Sequence, residues 1–105
     1  MHLISFLDNG ELTIVLTGEI DHHCAKFYIH EISGKIEAYT PVICSLDFRD
    51  VTFMDSSGIA IVINALRQMT KINGKLVLEG LSPQPMKVFR ASGIEKLVEI
   101  KEAIF

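Results

Sequence analysis

Apolar and polar positions alternate with a period of two early in the chain. Leu12, Ile14 and Leu16 interleave with Thr13, Val15 and Thr17, the signature of a strand buried on one face. Leu3 to Leu7 precedes it as a second apolar run, and Asp8-Asn9-Gly10 between them supplies turn residues, so the two runs predict a β-hairpin. After Gly18-Glu19-Ile20-Asp21 the period lengthens to three and four. Ala25, Tyr28, Ile29, Ile32 and Ile36 then form a stripe, while Lys26, His30, Lys35 and Glu37 fall elsewhere on the cylinder. This is a helix with one face for a sheet. Asp21 is suited to cap its N-terminus, Gly34 weakens it, and Tyr39-Thr40-Pro41 ends it because proline cannot extend the hydrogen-bond ladder.

Val42 to Leu46 is short, apolar and rich in β-branched residues, which predicts a central strand. Phe48 to Met54 leads out of it, with Phe53 and Met54 expected as core plugs under the next helix. That helix is expected from Asp55 to about Ile72, with Ile59, Val62, Ile63, Leu66, Met69 and Ile72 inward, and Asn64, Arg67, Gln68 and Lys71 outward. Asn73-Gly74 stops it with residues that tolerate left-handed backbone. Lys75 to Glu79 is a further strand. Ser82-Pro83 starts a third helix, which continues through Met86, Phe89 and Arg90 to Gly93, and Leu97 to Ile100 is a last strand before a short tail to Phe105.

The order β-β-α-β-α-β-α-β implies an α/β domain spanning residues 1–105, with a mixed, mostly parallel sheet of four to five strands, helices packed against it, and right-handed crossovers. In such a sheet the loops at the carboxyl ends of the strands form the functional rim. Asp21, Asp47 and Ser56 are expected there.

Composition narrows the function. The 105 residues suffice for a single core, and 49% hydrophobic with 22% charged residues is an ordinary globular balance. The net charge is −3, and the ten Lys and Arg residues are scattered, so direct nucleic-acid binding is not expected. No span reaches the roughly 20 apolar residues that cross a bilayer. The N-terminus, with His2, Asp8 and Glu11, lacks the layout of a signal peptide, so a cytosolic protein without membrane attachment is expected. Cys24 and Cys44 show no Cys-x-x-Cys spacing and read as reduced, buried thiols.

The candidate chemistry centres on Asp55-Ser56-Ser57-Gly58. Asp55 is a favoured N-cap, which sets Ser56 and Ser57 in the first helical turn beside unpaired N–H groups and the positive end of the helix dipole. A phosphate attached there is stabilised by both, so the hydroxyl suits a phosphate acceptor. A hydrolase would need a base such as His22 or His23 and a Gly-x-Ser-x-Gly elbow, and that motif is absent. Asp21, His22, His23 and Cys24 are adjacent residues whose side chains diverge, so no metal is expected. Asp47, Asp50 and Asp55 lack the further acids and the late lysine of a phospho-accepting Mg²⁺ pocket, and no phosphate-binding glycine loop occurs.

Leu16-Thr17-Gly18-Glu19-Ile20-Asp21-His22-His23, Leu46-Asp47-Phe48 and Phe53-Met54-Asp55-Ser56-Ser57-Gly58-Ile59 together resemble the STAS domain, in particular the anti-sigma-factor antagonists. Ile72-Asn73-Gly74-Lys75 and Ser92-Gly93-Ile94 extend the resemblance over nearly the whole chain, with Cys24 and the Pro83/Pro85 pair as departures. The resemblance implies a binding module without catalytic activity or cofactor. In its unmodified form such a module binds an anti-sigma factor that is also an ATP-dependent serine kinase, and so frees the sigma factor of a sporulation or stress programme. The kinase phosphorylates the first serine of the block, here Ser56, which abolishes binding, and a serine phosphatase restores it. Asp21, His22, Asp55, Ser56, Ser57 and Gly58 would form the partner-binding set. STAS domains also serve in transporters and sensor assemblies, so a non-phosphorylated scaffold or small-ligand module is the alternative.

Overall fold

The computed structural model describes residues 3–101; the expected tail to Phe105 lies outside them. The predicted alternation is realised as β1 (Ile4–Asp8), β2 (Glu11–Ile20), α1 (His22–Tyr39), β3 (Ile43–Met54), α2 (Ser57–Lys71), β4 (Lys75–Glu79), α3 (Pro83–Ser92), a 3-10 turn (Ile94–Lys96) and β5 (Glu99–Lys101). The five strands lie in chain order, β1-β2-β3-β4-β5. β1 pairs with β2 antiparallel, and every later pair is parallel.

Each parallel crossover steps to the next position in the same direction, and right-handed crossovers of that kind put all three helices on one face of the sheet. The core forms there. Leu12, Ile14 and Leu16 of β2, Cys44 and Leu46 of β3, and Leu76 and Leu78 of β4 join Tyr28, Ile32 and Ile36 of α1, Ile61, Val62 and Met69 of α2, and Phe89 of α3 in one buried cluster. Phe48 meets Phe89 edge-on with ring centroids 5.4 Å apart, a favourable quadrupole geometry. Across the opposite face, Lys75 and Glu99 form an ion pair of 2.7 Å.

The strands outlast their neighbours, and side chains take over the unpaired backbone. β1 last pairs at Val15, and at Thr17 the Tyr28 hydroxyl accepts from the backbone N–H and donates to the carbonyl, both over 3.2 Å. Buried peptide groups need such partners.

Three expectations are corrected. β3 does not stop near Leu46 but runs on to Met54, because a register shift against β2 absorbs the polar stretch Asp47-Phe48-Arg49-Asp50 as a bulge. Consequently Phe53 alternates away from the core and is 46% exposed, whereas Met54 is fully buried. On α2 the innermost positions are Gly58, Ile61, Val62, Ala65 and Met69; Ile59, Ile63 and Leu66 are half-buried, and Ile72 is exposed. The helix is apolar nearly all round its first three turns, so period alone could not choose the inner face. Leu97 is exposed after the 3-10 turn, and β5 begins only at Glu99.

Candidate functional site

β2 and β3 finish side by side, with Ile20 opposite Met54. The next residues, Asp21 and Asp55, each open a helix, and the Asp55 N–H donates to the Ile20 carbonyl at 3.0 Å. Two crossovers distant in sequence are thereby joined at one edge of the sheet.

Asp21 caps α1. Its Oδ1 accepts from the N–H of His23 at 2.9 Å and of Cys24 at 3.2 Å. Cys24 Sγ accepts from the Asp21 N–H at 3.3 Å, closing a capping box with sulfur in place of the usual oxygen. That is how the chain accommodates the departure at Cys24. Partial burial pushes the Asp21 carboxyl up, but the N–H groups of Cys24 and His23 and the nearby His23 ring outweigh it and hold the group below its ordinary value. Burial raises the Cys24 thiol. His22 and His23 are exposed, their ring centroids 3.9 Å apart. Among the described residues no three His, Cys, Asp or Glu side chains converge as metal ligands.

Just before α2, Asp55 Oδ1 accepts from the Ser57 N–H at 2.7 Å; the N-cap position itself is Ser56 and not, as expected, Asp55, which stands one residue further out. Ser56 already has helical backbone (φ −63°, ψ −13°), is exposed, and makes no capping hydrogen bond with its side chain. Its hydroxyl therefore stands open to solvent at the positive end of the helix. Ser57 is half-buried. Gly58 is buried against Met54: a Cβ at this position would collide with Met54 Sδ and lie 2.6 Å from Met54 Cγ. Its glycine is thus explained by packing beneath the serines.

Asp21, His22, Asp55, Ser56, Ser57 and Gly58 are brought together at this edge. Asp47 is not. It lies within β3 opposite Val15 and Glu79, and its Oδ1 accepts from the Arg49 N–H at 2.9 Å in the bulge. The seven steps from there to Met54 span roughly 23 Å of extended strand.

Two features had no counterpart in the sequence reading. A groove of about 490 Å³ runs from Ser56 between α1 and α2, lined by Ile29, Ile59, Ala60, Ile63, Asn64 and Arg67. Its signal was a second apolar stripe, Ile59 and Ile63, merged with the core stripe. The other is Gln84, whose side-chain amide accepts from the Met54 N–H and donates to the Met54 carbonyl, both at 2.8 Å. Thirty residues separate the pair, so nothing local announces it.

Comparison with known proteins agrees with this fold. The family model for the STAS domain matches residues 7–104. The anti-sigma F factor antagonist of Lysinibacillus sphaericus is 34% identical over 95 residues, covering 90% of this chain and 81% of its own. Among solved structures, the anti-sigma factor antagonist SpoIIAA in its unphosphorylated form superposes with a TM-score of 0.84 at 28% identity, covering 98% of this chain and 89% of that one. The Bacillus cell fate determinant SpoIIAA in the phosphorylated form gives 0.76 at 28% identity, covering 98% and 92%.

Proposed function

The chain belongs to the STAS domain family, and on that premise we propose that it is an anti-sigma-factor antagonist switched by phosphorylation of Ser56. Unmodified, it binds an anti-sigma factor that is also a serine kinase, through Asp21, His22, Asp55, Ser56 and Ser57, with Gly58 seating the serines from below. The sigma factor is released. Transfer of the γ-phosphoryl group of ATP to Ser56 Oγ ends the complex, and a serine phosphatase restores it. The protein acts in the cytoplasm by binding and catalyses no reaction of its own.

The observation that carries this reading is the state of Ser56: exposed, at the N-cap of α2, and free of a side-chain capping bond. A phosphate there meets the positive helix end, so the fold tolerates it. It also adds about −1.5 to −2 charge beside Asp21 and Asp55. The change is thus felt at the contact surface and not in the core. If repulsion and steric block together remove about 3 kcal/mol, affinity falls roughly a hundredfold.

The test is peptide mass mapping after incubation with ATP and the anti-sigma kinase encoded nearest to this chain. One phosphate on Ser56 supports the switch; phosphate on Ser57 overturns the choice of acceptor. The groove beside Ser56 favours a second reading, a small-ligand module without phosphorylation. An unmodified chain, with the kinase active on another substrate, would support that reading instead.

A further inference from the structure

β3 extends well past the end of β4. The last β3–β4 pair is Asp47 with Glu79, whereas β2 accompanies β3 to Met54. The backbone at the end of β3 therefore has no strand on its outer side, at the residue directly before Asp55-Ser56-Ser57-Gly58. Gln84, in the first turn of α3, fills the place of that strand. Its Oε1 accepts from the Met54 N–H and its Nε2 donates to the Met54 carbonyl, each at 2.8 Å. A primary carboxamide presents one donor and one acceptor side by side, as a strand neighbour does. No other uncharged side chain of this length can make the same pair.

Met54 is held from three sides. Its side chain is fully buried against Gly58, its backbone is bonded to Gln84, and the following N–H is bonded to Ile20. This anchor acts on the conformation of Asp55 and Ser56 together with the Ser57 N–H bond to Asp55 Oδ1, since Ser56 itself has no side-chain cap. We propose that Gln84 is a positioning residue for the Ser56 switch: by clamping Met54 from α3, it holds the hydroxyl in the orientation in which phosphate is accepted. This rests on Ser56 being the acceptor and adds to it a residue on a different element.

The experiment compares Gln84→Met with Gln68→Met. Gln68 makes one side-chain bond to the Ser33 carbonyl at 2.9 Å, on the far part of α2. Both variants replace the amide by an apolar chain of similar length, so both report a general loss of stability, but only the first releases Met54. Phosphorylation by the same kinase is followed as kcat and KM, with circular dichroism for the fold and amide exchange at Met54 and Ser57. Gln84→Met is expected to lower kcat about tenfold, a modest misalignment penalty, with KM within about twofold and faster exchange at both amides. Gln68→Met should keep the wild-type kcat. Equal rates for wild type and Gln84→Met overturn the inference while leaving the acceptor intact, and so does an equal slowing of both variants. A wild-type chain that takes no phosphate on Ser56 removes both readings. Should Gln84→Met fail to fold, Gln84→Glu serves instead. Its carboxylate still accepts from the Met54 N–H but has no proton for the carbonyl, so kcat should fall, and a wild-type kcat overturns the proposal.

Discussion

The N–H of Asp55 donates to the carbonyl of Ile20 at 3.0 Å, and this bond joins the β2–α1 and β3–α2 crossovers. Both crossovers begin with an aspartate whose Oδ1 accepts from a backbone N–H at the start of the helix that follows. Their carboxylates accept from backbone N–H groups, so the exposed Ser56, whose side chain makes no such bond, is the adaptable group of the edge.

Replacement of Ser56 by alanine should leave the fold intact, because the side chain is exposed and caps nothing. The change in stability is expected within about 0.5 kcal/mol. Ser56→Ala should bind the kinase yet take no phosphate, Ser56→Asp should bind roughly a hundredfold more weakly, and Ser57→Ala should still be modified. Calorimetric titration and mass mapping read these outcomes, and wild-type affinity for Ser56→Asp would count against charge as the switch.

Gly58→Ala drives a methyl group into the buried Met54 side chain. Overpacking of this kind costs about 1–3 kcal/mol. The loss should shrink when Met54→Ala removes the colliding Cγ, Sδ and Cε atoms, since contacting residues are not additive. Urea unfolding of the two single variants and the double variant measures the coupling; strict additivity would show that the collision is relieved elsewhere.

Asp21 is held below its ordinary value of 3.8 by the Cys24 and His23 N–H groups. A depressed carboxyl stabilises the folded chain fully above the unfolded value, and the contribution disappears as pH falls through the folded one. Wild type should therefore be more stable than Asp21→Ala at pH 7, with the margin narrowing as pH drops below about 3.8. Chemical denaturation across pH 7 to 2.5 provides the comparison, and a margin independent of pH would argue against the cap.

Burial pushes the Cys44 thiol up from 9.0 to about 12. The unfolded chain loses this proton first, so the stabilising contribution is intact below pH 9 and declines as pH rises toward 12. The slope approaches about 1.4 kcal/mol per pH unit at most. Cys44→Ala should lack that portion of the alkaline loss. Both cysteines are buried and free, so neither should react with a thiol reagent at pH 8 until the protein is unfolded.

The element order and the Asp21 cap were legible, and the α2 cap was placed within one residue, because each has a local cause. Periods of two and four separate strands from helices, and Asp21 and Asp55 are capping-type residues placed about one turn before the apolar stripes of the helices that follow. The length of β3 was not legible: Asp47 to Asp50 has the composition of a turn, and only pairing with β2 makes it a bulge. Misplacing that boundary also put Asp47 on the wrong edge and Phe53 in the core. The inner face of α2 was hidden by too many apolar residues, and the groove with it. Gln84 was beyond reach, because its partner is a backbone group thirty residues away.

The sequential order of the sheet has a consequence for how the molecule is made. Each strand pairs with the one synthesised just before it, so the sheet can be laid down from its N-terminal edge as the chain emerges, with little entropy spent on closing long loops. The serine block leaves the ribosome well before the residue that clamps it. Its final seating is thus a late event of assembly, completed only when the third helix docks.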